Sequence, residues 1–438
     1  MEDQLEALWH NPRGVDEAYF CKEFLREQEL ICVNGLFYTK DGLVTDESII
    51  RKQIYDKLQQ HCRTGIAKKA EALLAALRLA ARSDQPLENE EEIHMANGTY
   101  NLATGFTREK KFCRHRLKVN YTGSTAPSQP WLDFLDQLLE PEDILTLQEF
   151  MGYCLIPTNR AQRMLMILGR GGEGKSRIGV VLKAILGQAM HISSLSKIEN
   201  NAYARADLEH LLVMVDDDLR LEALGSTNYI KSIISADLPL DVERKYVQSY
   251  QARIYARFLA FGNGTLQALH DRSYGFFRRQ IILTAKPRDP NRVDDPYLGD
   301  KLAAEAEKIF IWCLLGLYRL IQNNFHFTIS QKARENWSQA VMTQNNVVEF
   351  MQSQGYFRWD REGKISARRL YELYSLWCED NALKPLSQRS FSGHLMANCD
   401  EYDISYSNAI PIQDGKRARG YIGIAPETSL YDLKKFSK

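Results

Sequence analysis

Between residues 131 and 285, short and wholly apolar runs alternate with amphipathic stretches. The runs are RMLMILG (163–169), LLVMVD (211–216), RFLAFGN (257–263) and QIILTA (280–285). ILTLQEFMGYCL (144–155) and KSRIGVVLKAIL (175–186) carry helical spacing. Unbroken apolar strands separated by helices predict a parallel sheet covered on both faces, so the core is α/β. Upstream, KKAEALLAALRLAARS (68–83) reads as a helix and GLFYTKDGLVT (35–45) as strand, an α+β region. Downstream, VVEFMQSQGYF (347–357), SARRLYELYSLWCED (366–380) and SQRSFSGHLMANC (387–399) have helical periodicity, and DISYSNAIPIQDGKRARGYIGIA (403–425) reads as two strands joined by a basic turn.

Three composition shifts mark boundaries. GSTAPSQP (123–130) is a Gly/Ser/Pro linker, KPRDPNRVDDPYLGD (286–300) is rich in Pro and Asp, and periodicity weakens over 328–345. Three domains are expected: 1–130, 131–328 and 329–438. A length of 438 residues agrees, since single cores stop growing near roughly 250–300 residues.

Composition narrows the function classes. At 44% apolar and 26% charged the chain is an ordinary globular protein, and its formal net charge is zero. Any nucleic-acid contact must therefore come from a local patch or from a pore formed on assembly. The longest apolar run, IFIWCLLGLY (309–318), is well short of the roughly 20 residues of a membrane span. The acidic start MEDQLEALWHNPRG lacks a signal-peptide plan, and the eight cysteines stand singly with no CxxC pair. A reducing, cytoplasmic setting without zinc is expected.

The chemistry concentrates at GRGGEGKSRIG (169–179), which satisfies GxxxxGK[ST] between an apolar strand and a helix. Gly171, Gly172 and Gly174 permit positive φ, so successive N–H groups can turn toward phosphate oxygens. The following helix adds its N-terminal partial charge. Lys175 suits the β and γ phosphates, and Ser176 suits Mg²⁺. The nucleotide-binding set is Gly169, Gly171, Gly172, Glu173, Gly174, Lys175, Ser176 and Arg177, with ATP and Mg²⁺ as cofactors.

Hydrolysis needs an acidic partner on a neighbouring strand, and LLVMVDDDL (211–219) supplies one. Asp216 is expected to hold metal and Asp217 to orient water, with Asp218 a one-residue alternative. An Asp run of this kind also occurs as a solvated loop. Asn263, ending the third strand, can both donate to phosphate and accept from water, although Asn-Gly is also a common turn. Arg278 and Arg279 suit transition-state charge, or equally a surface pair.

LQEFMGYCLIPTNRAQRMLMILGRGGEGKS (147–176) resembles the entry into the ATPase core of superfamily 3 helicases. The closer likeness is to the poxvirus and phage-type primase-helicases of viruses, plasmids and bacterial mobile elements. The acidic run at 211–218, KSIISADLPLDVERKYVQSYQ (231–251), FGN (261–263) and DRSYGFFRRQIIL (271–283) follow in that family's order. MANGTYNLATGFTREKKF (95–112) is similar to an element of the domain preceding these helicases. The resemblance implies an AAA+-type domain working as a ring, usually a hexamer, around DNA, with 3′-to-5′ movement on single strands. It implies a Walker B pair at Asp216/Asp217 and sensor 1 at Asn263. Arg278 or Arg279 would be a finger reaching the neighbouring subunit's ATP. Arg244, Lys245 and Tyr246 would lie on or near a β-hairpin in the pore, where cations and a stacking ring suit single-stranded DNA. One departure is Ser235-Ala236-Asp237, where many relatives place two glycines before the Asp.

Helices followed by a basic-tipped hairpin suggest a C-terminal winged helix, which this family often carries. Gln388, Arg389 and Ser390 would open its recognition helix, and Lys416, Arg417 and Arg419 would lie on its wing, suited to double-stranded DNA. The expected function is a ring-forming, ATP-dependent replicative DNA helicase, also an initiator of replication. The alternative is an AAA+ remodelling or loading ATPase that does not unwind. A P-loop small-molecule kinase accounts less well for Asn263 and the paired arginines.

Overall fold

The structure is a computed structural model. It describes residues 9–11, 14–219, 226–236, 238–244, 247–263, 274–344, 346–381, 383, 385–411 and 417–427. Two compact units result, one built on residues 1–265 with 275–336 and the other on residues 337–438.

The first unit is organised by five parallel strands: β1 (Met164–Gly169), β2 (Met190–Ile192), β3 (Val213–Leu219), β4 (Arg257–Asn263) and β5 (Gln280–Thr284). Their order across the sheet is β5-β1-β4-β3-β2. Every residue of β1 is buried, as its unbroken apolar run requires of a strand flanked on both sides and covered on both faces. Helix α1 (Ser176–Leu186) lies on one face and buries Ile178, Val181, Leu182 and Ile185. Gly179 in α1 lets it approach Val215 and Phe261: a Cβ there would sit 3.8 and 3.6 Å from them. The face of β3 and β4 that carries Val215 and Phe261 is therefore the α1 face, and alternation assigns Asp217 and Asn263 to it.

A helix pair, Pro141–Tyr153 and Ala306–Gln322, packs against this core at unusually short range. Cβ atoms built on Gly152 and Gly316 would fall 2.4 Å from the Cys313 carbonyl oxygen and 2.3 Å from that of Gln148. Buried Glu149 fastens the pair, accepting from Arg319 at 2.6 Å and from the Thr328 amide at 2.7 Å.

The chain before the sheet has two parts. Helices Glu17–Gln28, Ser48–Gln59 and Ile66–Ala80 enclose an apolar cluster with Trp9, Phe20, Ile54 and Leu77. The antiparallel meander Glu92–Met95, Gly98–Asn101 and Gly105–Thr107 instead sends Ile93 and Met95 into the main core, alongside Leu117 and Val119. The boundary expected at residue 130 thus divides the linker stretch but not the packing. The C-terminal boundary falls at 336/337 rather than 328/329, because Ala333 joins the main core and Asn336 donates to the Ile282 carbonyl at 3.2 Å.

In the second unit the order is helix Asn346–Gln352, strand Phe357–Ser366, helices Ala367–Asp380 and Gln388–Ala397, then strands Ser405–Pro411 and Arg417–Pro426. The last strand lies between the other two, antiparallel to both. Phe350, Tyr374, Phe391 and Tyr421 fill its core, with Tyr374 and Phe391 stacked at 4.5 Å. Seven cysteines are buried, in keeping with small apolar roles. Among the described residues no helix is long and apolar enough to cross a membrane.

Candidate nucleotide site

Parallel strands bring the residues that follow their carboxyl ends to one edge of the sheet, where open α/β folds bind ligands. Here that edge carries a cleft of about 830 Å³, within the range of small-molecule sites. Gly171–Arg177, Asp217, Phe261 and Asn263 all line it. The loop glycines have φ of 104°, 82° and 103° at Gly171, Gly172 and Gly174, conformations a side chain would strain. These conformations turn the loop backbone beside the N-terminus of α1.

An acidic side chain already lies in that loop. The Glu173 carboxylate accepts from the amides of Arg170 and Gly171, the latter at 2.9 and 3.0 Å, and from Lys175 Nζ at 2.7 Å. Burial pushes the Glu173 carboxyl up, but Lys175 and the backbone amides outweigh it and hold it below the usual range. Lys175 Nζ also donates to Asn263 Oδ1 at 3.3 Å, bringing residues 88 apart in sequence together. The register Asn263↔Gly169 between β4 and β1 makes that contact possible. A Cβ on Gly169 would fall 2.8 Å from both the Glu173 carboxylate and Lys175 Nζ, so a side chain there would displace the pair.

The two expected acids separate. Asp217 is exposed and lines the cleft, whereas Asp216 is buried and lies on the other side of β3. Asp216 accepts from the Leu195 amide at 2.8 Å and from the Asp218 amide at 3.3 Å. Burial pushes the Asp216 carboxyl up, and those two amides offset it in part. Of the two acids, Asp217 and not Asp216 thus lines the cleft.

Arg278 and Arg279 lie at the opposite end of the sheet. Arg279 O accepts from the Met164 amide at 2.8 Å, at the start of β1, and the strand then runs about 16 Å to the phosphate loop. Arg279 Nε donates to Ser235 Oγ. Partial burial, with the cations of Arg278 and Arg163, holds the Arg279 guanidinium below its ordinary range. Neither arginine serves the phosphate loop of its own chain.

The expected DNA-contacting segment is an antiparallel hairpin, Leu240–Arg244 paired with Val247–Ala252. Arg244 pairs with Val247 beside the turn and is held there, donating to the Ala206 carbonyl at 3.0 Å and to the Tyr250 hydroxyl at 3.1 Å. Lys245, Tyr246 and Lys416 lie outside the described residues. Arg417 and Arg419 are exposed on alternate positions of one strand, and Ser387 caps the helix opened by Gln388, accepting from the Ser390 amide at 3.2 Å.

Sequence reasoning missed Phe134, Gln137, Arg288 and Arg292, which also line the cleft. The two arginines were legible in principle, because they follow the carboxyl end of β5 directly.

The comparisons with known proteins are consistent with this fold. Residues 167–279, from β1 to the start of β5, match the model of a family of unknown function, DUF5906. No curated protein matches the sequence. The apo structure of the NrS-1 C-terminal region is similar with a TM-score of 0.57 at 12% identity, over 93% of this chain and 99% of that one. The A form of the same region has a TM-score of 0.55 at 13% identity, over 93% and 100%. At this identity the likeness is one of fold.

Proposed function

We propose that the chain is an ATP-dependent DNA helicase of the superfamily 3 type, acting in replication as a ring. The observation carrying this reading is the convergence of Lys175, Asn263 and Asp217 on one glycine nest, while Arg278 and Arg279 stand at the far end of the sheet. The nest and Lys175 hold phosphates; Ser176 supplies a hard oxygen donor suited to Mg²⁺. Bound there, Mg²⁺ neutralises phosphate charge. Asn263 orients the attacking water and Asp217 accepts its proton. Asp216 positions β3 against the helix that begins at Leu195.

An arginine some strand-length from its own phosphate loop suits a site completed by a second copy, as the family resemblance implies. Arg163, Arg278 and Arg279 gather positive charge that a neighbour's triphosphate would neutralise. The strand order β5-β1-β4-β3-β2 supports an AAA+-type core, and the helix–strand–helix–helix–strand–strand order of the second unit supports a winged helix with Arg417 and Arg419 on its wing. The hairpin 240–252 is the pore element. The test is ATP hydrolysis stimulated by single-stranded DNA and coupled to displacement of an annealed strand, both lost in Lys175→Ala. Stimulated hydrolysis without displacement would instead mark a remodelling or loading ATPase.

A further inference from the structure

Beyond β5 the chain turns back across the phosphate loop. The Ala285 amide donates to Leu168 O at 2.7 Å and the Lys286 amide to Leu138 O at 2.8 Å, which keeps this segment beside β1. Pro287, Pro290 and Pro296 then stiffen it. Arg292 Nη1 donates to the Glu173 carbonyl at 2.9 Å and Nη2 to the Gly172 carbonyl at 3.3 Å. Arg292 thereby ties down the backbone of the loop directly after the Arg170 and Gly171 amides that hold the Glu173 carboxylate. Arg288 stands over the same turn: its Nη1 would be 3.5 Å from a Cβ on Gly172. Asp294 holds both guanidinium groups, at 2.8 Å from Arg288 and 3.3 Å from Arg292.

We propose that this segment is a phosphate clamp acting in cis: Arg292 braces the loop, and Arg288 exchanges Asp294 for the terminal phosphates of the bound nucleotide. The proposal rests on reading the cleft as a nucleoside triphosphate site. Two substitutions of one anion for another then occur on binding. Phosphate replaces the Glu173 carboxylate on the amides, and phosphate replaces Asp294 on Arg288. Arg288 is suited to the exchange because its side chain is 41% exposed and its bond to Asp294 is a solvent-screened pair of small net worth. A planar guanidinium can grip two phosphate oxygens at once, which an ammonium cannot. This clamp differs from the finger at Arg278/Arg279, which lies at the other end of the sheet and would serve a second subunit.

Equilibrium titration of fluorescent ATP, ADP and AMP analogues into the full chain tests the clamp, using wild type, Arg288→Ala, Arg288→Lys and Lys175→Ala. Arg288→Ala is expected to weaken ATP binding about 10–100-fold while changing AMP binding by less than about threefold, with Arg288→Lys between. Thermal melting without nucleotide should match wild type, since Arg288 braces nothing. The clamp is overturned if Arg288→Ala binds ATP within about twofold of wild type while Lys175→Ala loses it, or if ATP and AMP weaken equally. Failure of wild type to bind any analogue overturns the nucleotide reading and the clamp with it.

Discussion

Glu173 and Lys175 form a buried ion pair of 2.7 Å inside the phosphate loop, with the Glu173 carboxylate on the amides that a phosphate would need. The loop is thus held in shape by an internal anion that a bound phosphate would have to displace.

Glu173→Gln is expected to raise ATP affinity several-fold and to lower the stability of the nucleotide-free protein by about 1–3 kcal/mol. A pH series separates this from a general packing loss. The folded-state Glu173 carboxyl is held below its ordinary value, so its stabilisation is complete above the unfolded value near 4.3 and is lost as pH falls through the folded one. The stability difference between wild type and Glu173→Gln should be constant from about pH 7 to 5 and shrink below about pH 4. Denaturant unfolding across that range measures it.

Asp217→Asn and Asp216→Asn should part company. Asp217→Asn is expected to lower ATP turnover about 10²–10⁴-fold with the fold intact. Asp216→Asn weakens the bonds to the Leu195 and Asp218 amides and should cost about 1–2 kcal/mol of stability, with any loss of turnover following from that. Parallel melting and turnover measurements distinguish the two.

The apolar runs made the sheet legible, because strands buried on both faces leave no polar alternation to misread. The glycine spacing likewise marked the loop at 169–176. The side of β3 that faces the cleft was not legible, since it depends on register: Val215 meets α1, which turns Asp217 and not Asp216 inward. The segment 286–300 has the composition of a boundary, because Pro and Asp there break periodicity. Its arginines acquire meaning only from the parallel direction of β5, which places them at the ligand edge. The union of residues 92–119 with the main core was also hidden, since the meander's own sequence does not say what its apolar face packs on.

Gly316→Ala tests the helix pair that supports the core. The new methyl would meet the Gln148 carbonyl oxygen at 2.3 Å, backbone that has no side-chain freedom to yield. A loss of about 3 kcal/mol is expected in denaturant unfolding.

Subunit sharing has its own test. Arg279→Ala and Lys175→Ala proteins, each inactive alone, should recover part of the ATP turnover when mixed, because some interfaces then combine an intact loop with an intact arginine. Absence of recovery at every mixing ratio would remove Arg279 from a neighbour's site.

The central question is whether hydrolysis in this cleft drives unwinding. Strand displacement with ATP and Mg²⁺ on duplexes carrying either a 3′ or a 5′ single-stranded tail measures that directly. Displacement of the 3′-tailed substrate, abolished in Lys175→Ala and absent with the 5′ tail, is the predicted result. Brisk DNA-stimulated hydrolysis with neither substrate displaced would contradict it.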